Sequence, residues 1–175
     1  MTRLEGLYTK FEAFEEELAH CYFLLHERFI ANPRLSKFWA EAALDEMQHS
    51  SILRFCRERG LMAEVGVDAG TATHLDELLD VVKNIVSDLE VTVDEAFYAS
   101  LLVESSELDE VYEQLTRALA KDHLLLYQAI QASMRSHYGS FAAGAEEFSA
   151  DKAVVEAFRA FGETRKARPR ERTVR

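Results

Sequence analysis

Between Leu4 and Phe29 the residues Leu4, Tyr8, Phe11, Glu15, Leu18, Tyr22, Leu25 and Phe29 follow one another at alternating steps of four and three. That is the period of a helix burying one stripe in a bundle. A stripe this long commits the chain to helix before anything else is read, and the composition agrees, because 7 Gly and 2 Pro in 175 residues leave few places to turn. The expected fold class is all-α. A chain of this length supports one well-cored domain better than two small ones, so a single helical domain is expected over residues 1–162. The last residues, "RKARPRERTVR", hold Arg165, Lys166, Arg168, Arg170, Arg172 and Arg175 around Pro169 and read as a basic disordered tail, 163–175.

The rest of the chain divides into further helices. Pro33 forces Asn32 out of helical geometry, and Ser36 is placed to cap a second helix from about Lys37 to Arg59, stopped by Gly60. Its inner face would carry Phe38, Trp39, Ala42, Glu46, His49, Leu53 and Cys56. Residues 61–92 form a long connection with an amphipathic stretch from about Leu75 to Leu89. A third helix is expected from Val93 to about Ala118, with Phe97, Leu101, Glu104, Leu108, Val111 and Leu115 on its seam. The fourth is expected from a cap at Asp122 to Gly139, with His123, Tyr127, Ile130, Met134 and His137 inward. One unbroken helix from Val93 to Tyr138 would measure about 69 Å at 1.5 Å per residue, too long for a compact domain of this size. A short last helix is expected from about Asp151 to Phe161.

Charge and cysteine usage exclude several functions. A formal net charge of −11 argues against a general nucleic-acid binder, which needs clustered Lys and Arg. "MTRLEGLY" places charge where a secretory signal would be apolar, and no run approaches a membrane span. The expected location is cytoplasmic, with no membrane association. Cys21 and Cys56 make no C-x-x-C pair and read as reduced, buried thiols.

The chemistry-bearing residues are those that interrupt the apolar seams. Glu15, Glu46, His49, Glu104 and His137 each stand where a hydrophobe is expected, and unpaired charge in such a place is expensive. Counting from the turns at Asn32 and Lys121, Glu15 lies 17 residues before the first and His49 17 after it. Glu104 lies 17 before the second turn and His137 16 after it. In an antiparallel bundle these four positions share one height, about 25 Å from the turns at 1.5 Å per residue. Glu46 and Glu107 fall one helical turn from that layer. Converging carboxylates in a dry core repel one another unless cations compensate them. Carboxylates with one or two imidazoles suit iron or manganese better than zinc, which favours tetrahedral N/S sets, or calcium, which favours oxygen alone.

Four helices with a long second connection and inward Glu, Glu-x-x-His and Glu resemble the ferritin-like superfamily, and the rubrerythrin-like di-iron carboxylate proteins in particular. "ALDEMQHSSIL" is similar to their second-helix Glu-x-x-His segment, and "VESSELDEVY" to their third-helix Glu-x-x-Glu followed by Tyr. The resemblance spans about residues 4–140. It implies an antiparallel four-helix bundle with a helical crossover between helices 2 and 3. It also implies that Glu15 is a first-helix ligand, Glu46 a bridging carboxylate, His49 an imidazole ligand, Glu104 a third-helix ligand and Glu107 the extra carboxylate, with His137 from the fourth helix. The departure is in the fourth helix, where Met134-x-x-His137 stands for a second Glu-x-x-His. Two cysteines also cannot build a rubredoxin-like iron site, which takes four thiolates.

The function so implied is a non-haem protein holding two iron (or manganese) ions, an oxidoreductase acting on peroxide, oxygen or ferrous iron. It would be a homodimer served by an external electron donor. Two alternatives stay open: iron binding or storage without turnover, and a metal-free helical interaction module with a decayed site and a working basic tail. His20, His26, His74 and His123 fall away from the layer and read as structural; the inward Tyr22, Tyr112 and Tyr127 read as core.

Overall fold

The computed structural model describes residues 2–62, 69–106, 112, 114, 116, 117 and 119–167. It is all-helical, and among the described residues there is no strand. The helices are α1 (Arg3–Arg28), α2 (Pro33–Glu58), α3 (Ala69–Ser87), α4 (Val93–Glu104), α5 (Leu119–Asp122), α6 (Leu124–Phe148) and α7 (Lys152–Ala167). They pack as a helical bundle. None of the described helices is long and apolar enough to cross a membrane.

The first pair sets the frame. Thr2 and Glu5 form a reciprocal capping box at the start of α1, and the expected seam is buried from Tyr8 to Leu25, Glu15 included. The break to α2 differs from expectation in one detail. Asn32, not Ser36, is the N-cap, accepting from Leu35 N at 3.3 Å, with Pro33 in the first turn where its missing N–H costs nothing. Ser36 lies inside the helix and bonds His26 instead, Oγ to Nδ1 at 2.8 Å. At the far end Gly60 adopts φ +66°, and Leu61 N reaches back to Cys56 O at 2.8 Å, a left-handed stop only glycine takes cheaply. The connection that follows becomes α3, which buries Leu75, Val82 and Val86 and is tied to α1 through Lys10–Asp76 (2.6 Å) and Lys83–Glu17 (2.7 Å).

The second half is where the expected boundaries fail. α4 ends at Glu104, capped by Ser105, instead of running on to Ala118. The end is local chemistry: the hydroxyl of Ser105 donates to Leu101 O at 2.6 Å, and Ser106 N turns back to Val103 O at 2.9 Å. Residues 112, 114, 116 and 117 are again helical. Asp122 does not cap the next helix; it closes α5, and His123 is the N-cap of α6 without a side-chain bond and on the surface, not on the seam. Nor does Gly139 end that helix. A glycine inside a helix costs about 1 kcal/mol, while the apolar positions that follow, Phe141 and Ala145, are 1% and 0% exposed. Burying them outweighs the glycine, and α6 continues to Phe148. α7 likewise outruns its expected end at 161. The expected tail lies mostly outside the described residues.

Beneath the middle of the bundle the aromatic rings form one cluster. Phe38 lies 4.9 Å from Trp39, 5.3 Å from Phe97 and 5.4 Å from Phe141, centroid to centroid, and Phe158 of α7 stacks on Phe141 at 5.7 Å. This floor holds α2, α4, α6 and α7 in register below the polar residues.

Candidate metal centre

Each seam-interrupting residue is buried. Glu46 and His137 are 2% exposed, His49 and Glu104 5% and Glu15 8%. Four helices deliver them: α1 gives Glu15, α2 gives Glu46 and His49 one turn apart, α4 gives Glu104 as its last residue, and α6 gives His137. The structure brings these five together; the sixth expected position, Glu107, lies outside the described residues.

They form two interlocking groups. Glu15, Glu46 and His49 present one ligand atom each within 4.8 Å of one another, and so do Glu46, Glu104 and His137. Glu46 belongs to both. Its Oε2 lies 2.8 Å from His49 Nδ1, and its Oε1 lies 3.3 Å from His137 Nε2. His137 Nε2 is also 3.2 Å from Glu104 Oε1, on which the Tyr22 hydroxyl donates at 3.1 Å. Three buried atoms at the centre, Glu46 Oε1, His49 Nε2 and Tyr112 Oη, make no hydrogen bond, the first having only its 3.3 Å approach to His137 Nε2. Such orphans normally cost a folded protein dearly.

The electrostatics are those of anions crowded without enough positive charge. Burial, then Glu46, pushes the Glu15 carboxyl well above its ordinary range. Burial pushes Glu46 up to about 8 against the pull of His137, with Glu104 pushing the same way. Burial also lowers His49. It would lower His137 too, but Glu104, Glu46 and Asp45 more than reverse it, and the imidazole is held well above its usual value. Glu104 adds a helix-dipole conflict, since it sits at the C-terminal end of α4, where a carboxylate faces the helix's negative pole. A cation among these groups would relieve every one of these penalties at once.

Two participants were not singled out from the sequence as parts of this centre. Asp45 Oδ2 accepts from His137 Nδ1 at 3.1 Å, its side chain 37% exposed. It fixes the ring so that Nε2 turns inward, the carboxylate–histidine arrangement common behind metal ligands. Asp45 lies beside the α2 seam, so no periodicity points to it; the only signal was its adjacency to Glu46. The other is Tyr112, whose ring lies 5.0 Å from His49 and which read as ordinary core. Met134 lines the same space without supplying a ligand of the expected kind. That space is small, about 20 Å³, room for one water-sized occupant.

Comparison of the chain with protein-family models, curated proteins and solved structures returns no match.

Proposed function

We propose that the buried centre holds two iron (or manganese) ions bridged by Glu46, in a bundle of ferritin-like, rubrerythrin-like topology, and that the protein is a non-haem oxidoreductase for peroxide, oxygen or ferrous iron. The observation that carries this reading is the pair of ligand groups sharing Glu46. Glu15 and His49 would complete one ion's protein ligands, Glu104 and His137 the other's. With Asp45 behind His137 the three ligand carboxylates make four negative charges, which two divalent ions would balance and one would not. Oxygen- and imidazole-rich donors without thiolate suit iron or manganese.

Bound there, the ions would supply redox chemistry: electrons given to an oxygen–oxygen bond and restored by an external donor, or electrons taken from ferrous iron and passed on to oxygen or peroxide. The chain's own part is geometry and exclusion. Asp45 holds the His137 ring, Tyr22 holds Glu104, and the aromatic floor keeps water out from below. The space among the ligands, about 20 Å³, leaves no room for an organic substrate.

The test is metal content by plasma mass spectrometry on protein purified without chelator and on protein reconstituted anaerobically with ferrous iron. Two ions per chain, lost in a Glu46→Ala, His49→Ala variant that keeps its helical content, are expected. Absence of metal after reconstitution would refute the reading.

A further inference from the structure

α2 is amphipathic twice. Its inner face carries Trp39, Glu46 and His49, and its outer face carries a second stripe, Ala40, Leu44, Met47, Ser51 and Phe55, at steps of four, three, four and four. That spacing is the seam of a helix expecting another helix. Leu44 is 56% exposed, Met47 47% and Phe55 38%, an apolar run that a monomer would leave in water. Ser51 does not spoil it. Its hydroxyl donates to Met47 O at 2.8 Å and is satisfied when covered.

We infer that this outer face of α2 is the contact between two copies of the chain, packed antiparallel about a two-fold axis between Met47 and Gln48. The occupant follows from the stripe's own symmetry. Its midpoint falls between residues 47 and 48, and reversal about that point sets Ala40 opposite Phe55 of the second copy, Leu44 opposite Ser51 and Lys37 opposite Glu58. Small faces large, and cation faces anion. Lys37 is 72% exposed and already leans along the helix to Glu41 at 2.9 Å, leaving it free to share a second carboxylate. A parallel pair would instead set Lys37 against Lys37 and Phe55 against Phe55. Self-complementarity under a two-fold is what an isologous interface requires, and a different partner would not need it. The contact is independent of the metal reading, because the site occupies the opposite face of the same helix.

The experiment is sedimentation equilibrium of the full chain from submicromolar to hundreds of micromolar, with and without chelator. A dimer is expected in both. Leu44→Glu, Met47→Glu should weaken it about 100-fold or more by placing carboxylates in the seam. Lys37→Glu should weaken it about 3-fold, in keeping with a rim ion pair, and Lys37→Glu, Glu58→Lys should restore it. Geometry is read separately by mild oxidation of single-cysteine probes. Gln48→Cys lies at the axis and should link two chains rapidly. Ala40→Cys should not, since the two copies of that position lie about 22 Å apart along the helices. A monomer throughout the range would overturn the inference. So would a dimer in which Gln48→Cys fails to link, whatever the behaviour of the charge variants.

Discussion

Gly144 is a glycine for lack of space. A Cβ built there would stand 2.5 Å from Phe38 Cε2 and 2.9 Å from Cζ, where carbon atoms settle at about 3.5–4.0 Å. Gly144→Ala therefore asks the Phe38 ring to retreat by about 1 Å. It has little room, being enclosed by Trp39, Phe97, Phe141 and Phe148 at centroid distances of 4.9 to 6.3 Å. Overpacking of this kind costs about 1–3 kcal/mol, and a ring boxed in on four sides belongs at the upper end. Alanine recovers about 1 kcal/mol of helix propensity over glycine. The net expectation is a loss of about 2 kcal/mol in urea unfolding of the metal-free protein, followed by helical circular dichroism and Trp39 fluorescence. Phe38→Leu in the same chain should reduce the cost of Gly144→Ala, so a double-mutant cycle should show coupling. An alanine variant as stable as the parent, or more stable, would refute the packing argument. The displacement also has a path to the site, because Phe141 lies 5.4 Å from Phe38 and 4.9 Å from the His137 ring.

Two further outcomes test the centre itself. Glu15, Glu46 and His137 all have folded-state values raised above their unfolded ones, so their stabilising contribution is present at low pH and lost as pH rises towards about 8, where Glu46 ionises. His49 is depressed and acts the other way, its contribution being lost as pH falls below about 6.5. The chelated protein should thus be less stable to urea at pH 8 than at pH 6, and bound metal should reverse that order; a chelated protein with a flat profile would contradict the burial of these carboxyls. Asp45→Ala should weaken metal binding by about 10–100-fold, because Asp45 orients the His137 ring, and should also lower metal-free stability near pH 6, because Asp45 is one of the carboxylates that hold that imidazole charged. Equal affinity by competition with a chromophoric chelator would show that the 3.1 Å contact has no such role.

Local and periodic information settled much of this molecule. The seam of α1, the inward phase of Glu46 and His49, the stop at Gly60 and the all-helical class follow from side-chain spacing and from what glycine and proline do to a backbone, and neither depends on distant contacts. Counting from Asn32 was enough to put Glu15 and His49 near one height, because helical rise is nearly constant along α1 and α2; the count from Lys121 also reached the layer of Glu104 and His137, although α4 ends at Glu104 and the count there does not follow one helix. The count survived even though the second turn was drawn one or two residues early. Glu107 lies outside the described residues and stands only as an expectation.

What the spacing could not decide were competitions between local preference and burial. Gly139 reads as a helix end, but Phe141 and Ala145 pull α6 through it into the aromatic floor. Ser36 reads as a cap, but Asn32 lies where the chain turns, and Ser36 is drawn to His26 across the hairpin. Ser105 and Ser106 give a weak local signal, and α4 ends there, while the apolar period in the sequence runs on. Asp45 belongs to no seam and meets His137 only because α2 and α6 lie side by side. Periodicity reports which face of a helix is dry; which polar neighbour reaches that face, and which breaker yields to the core, depends on packing energy that exists only once the helices are assembled.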